Sequence, residues 1–272
     1  MKRFLSILFA ISVLFVVSVP SSADVFSLGP GLTNLETVTV GDPGNVGEPS
    51  GEGVGGYGPD RICGAVAYTY YIGKYEITAG QYCEFLNKVA ATNSYGLYTS
   101  LMWSEPWGCK IQQTGTRGSY TYTVASDWAN RPVNYVSFLD ACRFANWMHN
   151  GQPTGPEDAS TTEDGAYFLN GYNGGSGRII IQRKPGWKWA VPSEDEWYKA
   201  AYYKGGGTDA GYWKYPTQSN TAPDRDMLDS SGNNANYYRY YYLIGSPYYR
   251  TEVGEFQNSG SAYGTFDQGG NV

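Results

Sequence analysis

"RPVNYVSFLDACRFANWMHNG", residues Arg131–Gly151, carries the clearest helix of the sequence. Ser137 stands just before the apolar-periodic run and Asp140 three positions later, the spacing of a capping box. Phe138, Ala141, Cys142, Ala145, Met148 and His149 fall on one face at helical spacing, and Asn150-Gly151 closes the segment. The pattern predicts a helix over 138–149 with Phe138, Cys142 and Ala145 buried, and its small residues predict a close neighbour. His149, the single histidine, reads as a helix-end residue meeting free carbonyls and the dipole. One histidine cannot build a three-histidine or facial-triad metal site.

Two similar signals flank this segment. In "YTYYIGKYEITAGQYCEFLNKVA", residues 68–90, Tyr68 to Ile77 read as strand. Thr78 caps a helix over 79–90 whose buried stripe is Tyr82, Phe85, Leu86 and Val89. Glu84 and Lys88 form an i,i+4 pair on the wet side. In "DGAYFLNGYNGGSGRIIIQRKPGWKWAVPSEDEWYKAAYY", residues 164–203, two strands are expected around a glycine-rich turn. A third helix follows over 194–203, with Ser193 and Glu196 as its capping box and Trp197, Ala200 and Ala201 facing inward. An alternating strand, "LETVTVGD", precedes all of this. No long internal repeat is present.

The remainder is loop-rich. "NYYRYYYLIGSPYYR", residues 236–250, holds seven tyrosines and two arginines. Tyrosine offers large contact area at low entropic cost, so Tyr240, Tyr241, Tyr242, Tyr248 and Tyr249 are candidate ligand-binding residues. An aromatic hairpin buried under other loops satisfies the same pattern. Gly51-Glu52-Gly53-Val54-Gly55-Gly56 matches the dinucleotide pattern, but no strand abuts it and Pro59 follows where a helix would be needed, so a nucleotide site is not expected.

The start of the chain suggests export. Lys2 and Arg3 precede an apolar run, Phe4 to Val17, and the small residues Ser21-Ser22-Ala23. This reads as a signal peptide, 1–23, cut near Ala23, rather than as a retained anchor. A secreted, periplasmic or cell-surface protein is expected, with no transmembrane segment in the mature chain. The formal charge of the 272 residues is −6. No dense Lys/Arg stripe is present, so nucleic acid is excluded as a partner class. Cys63, Cys83, Cys109 and Cys142 are spaced by 20, 26 and 33 residues, without a Cys-x-x-Cys pair. Two disulfides and buried unpaired thiols are both open to an exported chain with this count.

"IGKYEITAGQYCEFLN", "RPVNYVSFLDACRFANWMHNGQPTG", "VPSEDEWYKAAYY" and "YGTFDQGGNV" occur in this order. Together they resemble the formylglycine-generating enzyme family, or sulfatase-modifying factor domains, and most closely its exported bacterial members. The resemblance covers residues 35–272, leaving 24–34 as an N-terminal segment. It implies an α+β, C-type-lectin-like fold, loop-rich, with three short helices and a small, mostly antiparallel sheet. Family enzymes oxidise a sulfatase cysteine to formylglycine with molecular oxygen, using two cysteines that bind copper. None of the four cysteines here matches those two, and the positions of Cys83 and Cys142 usually carry small residues. In the family the last word continues as Gly-Asn-Val-Trp-Glu-Trp. The sequence halts after the valine, so the expectation is a domain incomplete at its C-terminus, without the catalytic part; copper is expected only for active full-length members.

The resemblance also implies calcium at two loop sites. One takes the side chain of Asp267 and the carbonyls of Gly270 and Val272, and is completed by the glutamate of the Trp-Glu-Trp word. The other takes Asn236 and the Tyr237 carbonyl, with Ser246 where an aspartate is expected and the Tyr248 carbonyl beside it. A hard cation surrounded by turn carbonyls is sound chemistry, but the first site lacks one carboxylate. Two function classes follow. One is a sulfatase-modifying-factor-like protein related to the oxygen-dependent enzymes. The other is a non-catalytic, lectin-like extracellular module that binds a protein or glycan ligand through its tyrosine-rich loops.

Overall fold

The computed structural model of the chain describes residues 35–50, 61–175 and 180–271. The expected signal peptide, the segment 24–34, the glycine motif at 51–56 and Val272 lie outside the described residues. The described elements are α+β with long connections. Strands are β1 (Thr37–Val40), β2 (Glu48–Ser50), β3 (Arg61–Cys63), β4 (Tyr70–Gly73), β5 (Ile111–Thr114) and β6 (Thr121–Val124). Helices are α1 (Ala79–Val89), α2 (Leu101–Ser104), α3 (Phe138–His149) and α4 (Glu194–Tyr202). The strands form three separate antiparallel pairs, β1 with β4, β2 with β3 and β5 with β6, in place of one small sheet. Val38 lies opposite Ile72 and Val40 opposite Tyr70 in the first pair.

All three long helices start with reciprocal caps. Thr78 and Gln81, Ser137 and Asp140, and Ser193 and Glu196 each exchange side-chain and backbone hydrogen bonds across the first turn. Each box satisfies two of the four orphaned amides of a helix start. α1 then buries Tyr82, Phe85, Leu86 and Val89. Phe85 meets Phe144 and Trp147 of α3, both at 5.2 Å between ring centroids. The β5–β6 hairpin closes the far side of α1: Asn87 Nδ2 donates to the Tyr122 carbonyl at 2.9 Å and the Tyr122 hydroxyl to the Ala90 carbonyl at 2.7 Å. A second apolar cluster joins Val40, Val66 and Tyr70 to Ala200 of α4.

Several expectations are corrected. Phe138 is 57% exposed, because it occupies the first helical position and the inward row begins with Leu139, followed by Cys142 and Ala145. Trp197 is also exposed and lies edge-on to Tyr202; Glu196, Lys199, Ala200 and Ala201 take the inner face of α4. Strand geometry covers only Tyr70–Gly73 of the expected 68–77. The two strands expected within 164–192 are absent among the described residues. Amides of that segment bond to side chains and to one another: Tyr167 N–H to Asn146 Oδ1 at 2.7 Å, Gly171 N–H to Glu163 Oε2 at 2.8 Å, and Lys184 N–H to the Ala166 carbonyl at 2.8 Å. His149 does not meet free carbonyls. Its Nδ1 accepts the Lys188 N–H at 3.1 Å, and burial, with Lys188 and Lys184 nearby, lowers its pKa. All four cysteines are free and buried, so neither disulfide forms.

Buried polar groups hold the loops. Arg143 of α3, fully buried, donates Nε to Glu163 Oε1 at 2.6 Å and Nη2 to Glu163 Oε2 at 3.0 Å. Nη2 also donates to the Tyr172 carbonyl at 2.9 Å, and the guanidinium lies over the Tyr95 ring. Arg143→Met should destabilise the protein by about 3–5 kcal/mol, because Glu163 would stay buried without its counter-charge. Arg143→Met combined with Glu163→Leu should recover part of that loss in denaturant titrations. At α4, burial alone would raise the Glu196 carboxyl, but hydrogen bonds from Arg183, Tyr68 and the Ser193 N–H prevail and bring it to about 2, below the ordinary 4.5. This depressed carboxylate stabilises the fold above pH 4.5, and the contribution is lost as the pH falls towards 2. Glu196→Gln should therefore flatten the acid limb of a melting-temperature profile.

Candidate functional site

The segment 267–271 is placed by two residues with left-handed backbone, Asp267 (φ 59°) and Asn271 (φ 72°). Short polar side chains tolerate that region. Between them Gly270 runs so close to Asn236 that a Cβ would collide with its carbonyl oxygen. Asn271 fixes the crossing. Its N–H donates to the Asn236 carbonyl at 2.8 Å. Its Oδ1 accepts from Thr251 N–H at 2.8 Å, Thr251 Oγ1 at 2.7 Å and Asn236 Nδ2 at 3.1 Å. Asn236 Nδ2 also reaches the Tyr249 carbonyl at 3.1 Å.

The structure thereby brings Asn236, Tyr237, Asp267 and Gly270 to one cavity of about 410 Å³. Ser246, at the expected aspartate position, is exposed. The Tyr237 hydroxyl is used by the Pro223 carbonyl at 2.7 Å. Asp267, Gln268 and Gly270 are also a wall of a second, more apolar cavity of about 500 Å³, whose other sides include Tyr75, Glu76, Phe144, Trp187 and Trp189.

The electrostatics at this shared wall are unbalanced. Asp267 Oδ2 accepts the Gly254 N–H at 2.6 Å. Burial nevertheless raises the Asp267 carboxyl to about 6. Burial, and then the Asp267 charge, push the Glu76 carboxyl well above the usual range. Both Glu76 oxygens and Gln268 Oε1 are shut off from solvent without a hydrogen-bond partner. The available donors to a metal are thus all oxygen, which fits a hard cation such as calcium and not a thiolate metal. No group of three or more His, Cys, Asp or Glu side chains forms a metal cluster among the described residues. A cation here would draw on two carboxylates plus amide and backbone oxygens.

The tyrosine-rich loop divides in two. Tyr240 is 89% exposed, and Tyr241 and Tyr242 also project outward, with the Arg225 guanidinium 4.4 Å from the Tyr241 ring. Tyr248 and Tyr249 are half-buried anchors. Tyr248 lies against Trp128 and beneath Arg131, and its hydroxyl donates to Asp127 at 2.9 Å. Tyr249 meets Trp107 on one side and Tyr242 on the other. Three thiols are held away from the thiolate form: burial raises Cys83 and Cys142 to about 12, and raises Cys109 as well.

Glu76 and Asn271 are the residues that the sequence reading did not single out as site residues. Both stand inside quoted motifs, and the one available signal for Glu76 was a lone acid within an aromatic and apolar run. A family model described as a sulfatase-modifying factor enzyme 1-like domain matches residues 62–272. No curated protein and no solved structure matches the chain.

Asp267→Asn should raise the melting temperature at pH 7 in chelator, because it removes a carboxylate whose charged form burial disfavours. A raised carboxyl pKa costs nothing below pH 3.8, and the cost grows as the pH rises through about 6. The gain should therefore vanish below pH 3.8 in a pH series of melting curves.

Proposed function

The chain belongs to the sulfatase-modifying factor enzyme 1-like family, and from that premise we propose an exported family member that acts as a binding module and does not oxidise thiols with its own four cysteines. The observation that carries this is the state of those cysteines. They are free and buried, and three are pushed away from the thiolate form. Copper ligation and oxygen activation through sulfur require deprotonated, accessible thiolates.

The binding surface in this reading is the exposed Tyr240–Tyr242 turn, with Arg225 behind it, beside the cavity that Asn236 and Asp267 line. Aromatic faces take apolar surface of a protein or of a sugar ring, while phenol hydroxyls and the guanidinium supply polar contacts. Tyr248 and Tyr249 hold the turn in place. Calcium at Asp267 and Gly270, and at Asn236 and Tyr237, would stiffen the loops beneath it, as oxygen-ligated cations do. A secreted, periplasmic or cell-surface location, after cleavage near Ala23, agrees with the basic and apolar start of the sequence. No helix among the described residues is long and apolar enough to cross a membrane.

Incubation with copper, oxygen and a sulfatase-type cysteine peptide should yield no aldehyde by mass spectrometry. Aldehyde formation would replace this reading with the enzymatic one. On protein and glycan arrays, Tyr240→Ala with Tyr241→Ala should abolish whatever binding the parent shows, without altering its melting temperature.

A further inference from the structure

The larger of the two cavities is mostly apolar. Ile72, Ile77, Val136, Phe144, Met148 and Trp189 are among its walls, and Tyr71 and Trp197, both exposed, connect it to the surface. At about 500 Å³ it exceeds threefold the ~150 Å³ that takes one benzene ring. Wall atoms that face a void give up packing contacts, and water finds few partners against apolar walls. Leu35, the first described residue, is buried and lines the same cavity. Strand pairing carries the chain to that place. β1 and β4 are antiparallel with Thr37 opposite Gly73, and the Lys74 N–H donates to the Glu36 carbonyl at 2.9 Å. Continued by two residues, that register brings Leu35 level with Tyr75, and Tyr75, Glu76 and Ile77 are all cavity residues.

The sequence "DVFSLGPGLTN", residues 24–34, leads directly into Leu35. Val25, Phe26, Leu28 and Leu32 are apolar, and no residue from 25 to 34 is charged, so burying them desolvates no ion. Gly29-Pro30-Gly31 between Leu28 and Leu32 is a turn sequence, which lets the chain reverse. Phe26 stands nine positions from Leu35, a reach of up to about 30 Å. We propose that this N-terminal segment folds back into the cavity of its own chain, with Phe26 and Leu28 as the side chains that fill it. The volume accepts a phenyl ring and a leucine side chain together. A separate partner would have to bring the same apolar groups from solution, whereas Leu35 already holds this segment at the cavity, so its effective concentration there is high.

The test uses the protein purified after export. A benzophenone-bearing phenylalanine analogue in place of Phe26 should cross-link on illumination to cavity residues of the same chain, Met148 and Val136 among them, as read by peptide mass spectrometry. The same analogue in place of Leu228, which is 84% exposed and not a cavity residue, should give none of these products. Phe26→Ser with Leu28→Ser should lower the melting temperature by about 4 °C or more, as loss of buried apolar side chains does. The folded double variant should also take up an apolar fluorescent dye that the parent excludes, and Leu228→Ser should do neither. Cross-links from Phe26 to the cavity of a second chain would assign the site to a neighbouring copy and overturn the proposal. A product map without cavity peptides would overturn it too, as would a double variant that melts and meets the dye like the parent.

Discussion

The loops of this protein depend on amides and carbonyls being answered by side chains rather than by neighbouring strands. α3 and its C-cap carry part of that burden. Asn146 donates Nδ2 to the carbonyls of Thr162 and Tyr167 at 2.7 and 2.9 Å, and accepts the Tyr167 N–H. Asn150 holds the carbonyls of Thr161 and Asp164. The Arg143–Glu163 pair ties the same region to Tyr172 and Gly171. A strand ladder would satisfy these groups with repetitive geometry. A helix with polar residues turned inward satisfies them one by one, and each bond is specific to its loop. Trp187 and Trp189 come after this anchored stretch, so the aromatic wall of the larger cavity inherits its position from α3.

Much of the helical skeleton was legible because its signals are local. Ser137 with Asp140 and Ser193 with Glu196 fix helix starts within four residues, and the α1 stripe needs only its own period. Phe138 and Trp197 misled for the same reason. Periodicity assigns a face, but at a helix end the neighbour decides whether that face is covered. The segment 164–192 looked like two strands because apolar residues and glycines also suit a loop clamped by distant side chains. Asp267, Gly270, Asn236 and Tyr237 were expected as ligands from the family resemblance alone. Their meeting at one cavity depends on Asn271 bonding across to Thr251 and Asn236, which no local pattern encodes. The enclosure of Glu76 was not legible because an acid beside a capped helix ordinarily faces water.

Charge is distributed with a similar economy. The chain is acidic overall, yet Arg143, Lys199 and Arg250 are buried and Arg183 is largely so. Lys199 reaches the carbonyl of Asp42, whose side chain in turn accepts from Gly207 N–H and from the Tyr263 hydroxyl. Cations inside thus organise backbone and pair with inward-facing acids such as Glu163 and Glu196. The wall of Asp267 and Glu76 breaks this arrangement, since it places two buried acids face to face with no base between them.

The four sequestered thiols have a consequence for the chain before it is folded. In the native state their burial keeps them out of thiol–disulfide exchange, which needs a thiolate and access. Stability is therefore indifferent to reductant, unusual freedom for a chain that reads as bound for an oxidising compartment. The unfolded polypeptide has no such shelter. Every cysteine is then exposed at an ordinary thiol pKa, and any bridge formed early would tie together residues that the native structure keeps unpaired. Closure of α1 and α3 over Cys83 and Cys142 is what removes those two thiols from such exchange.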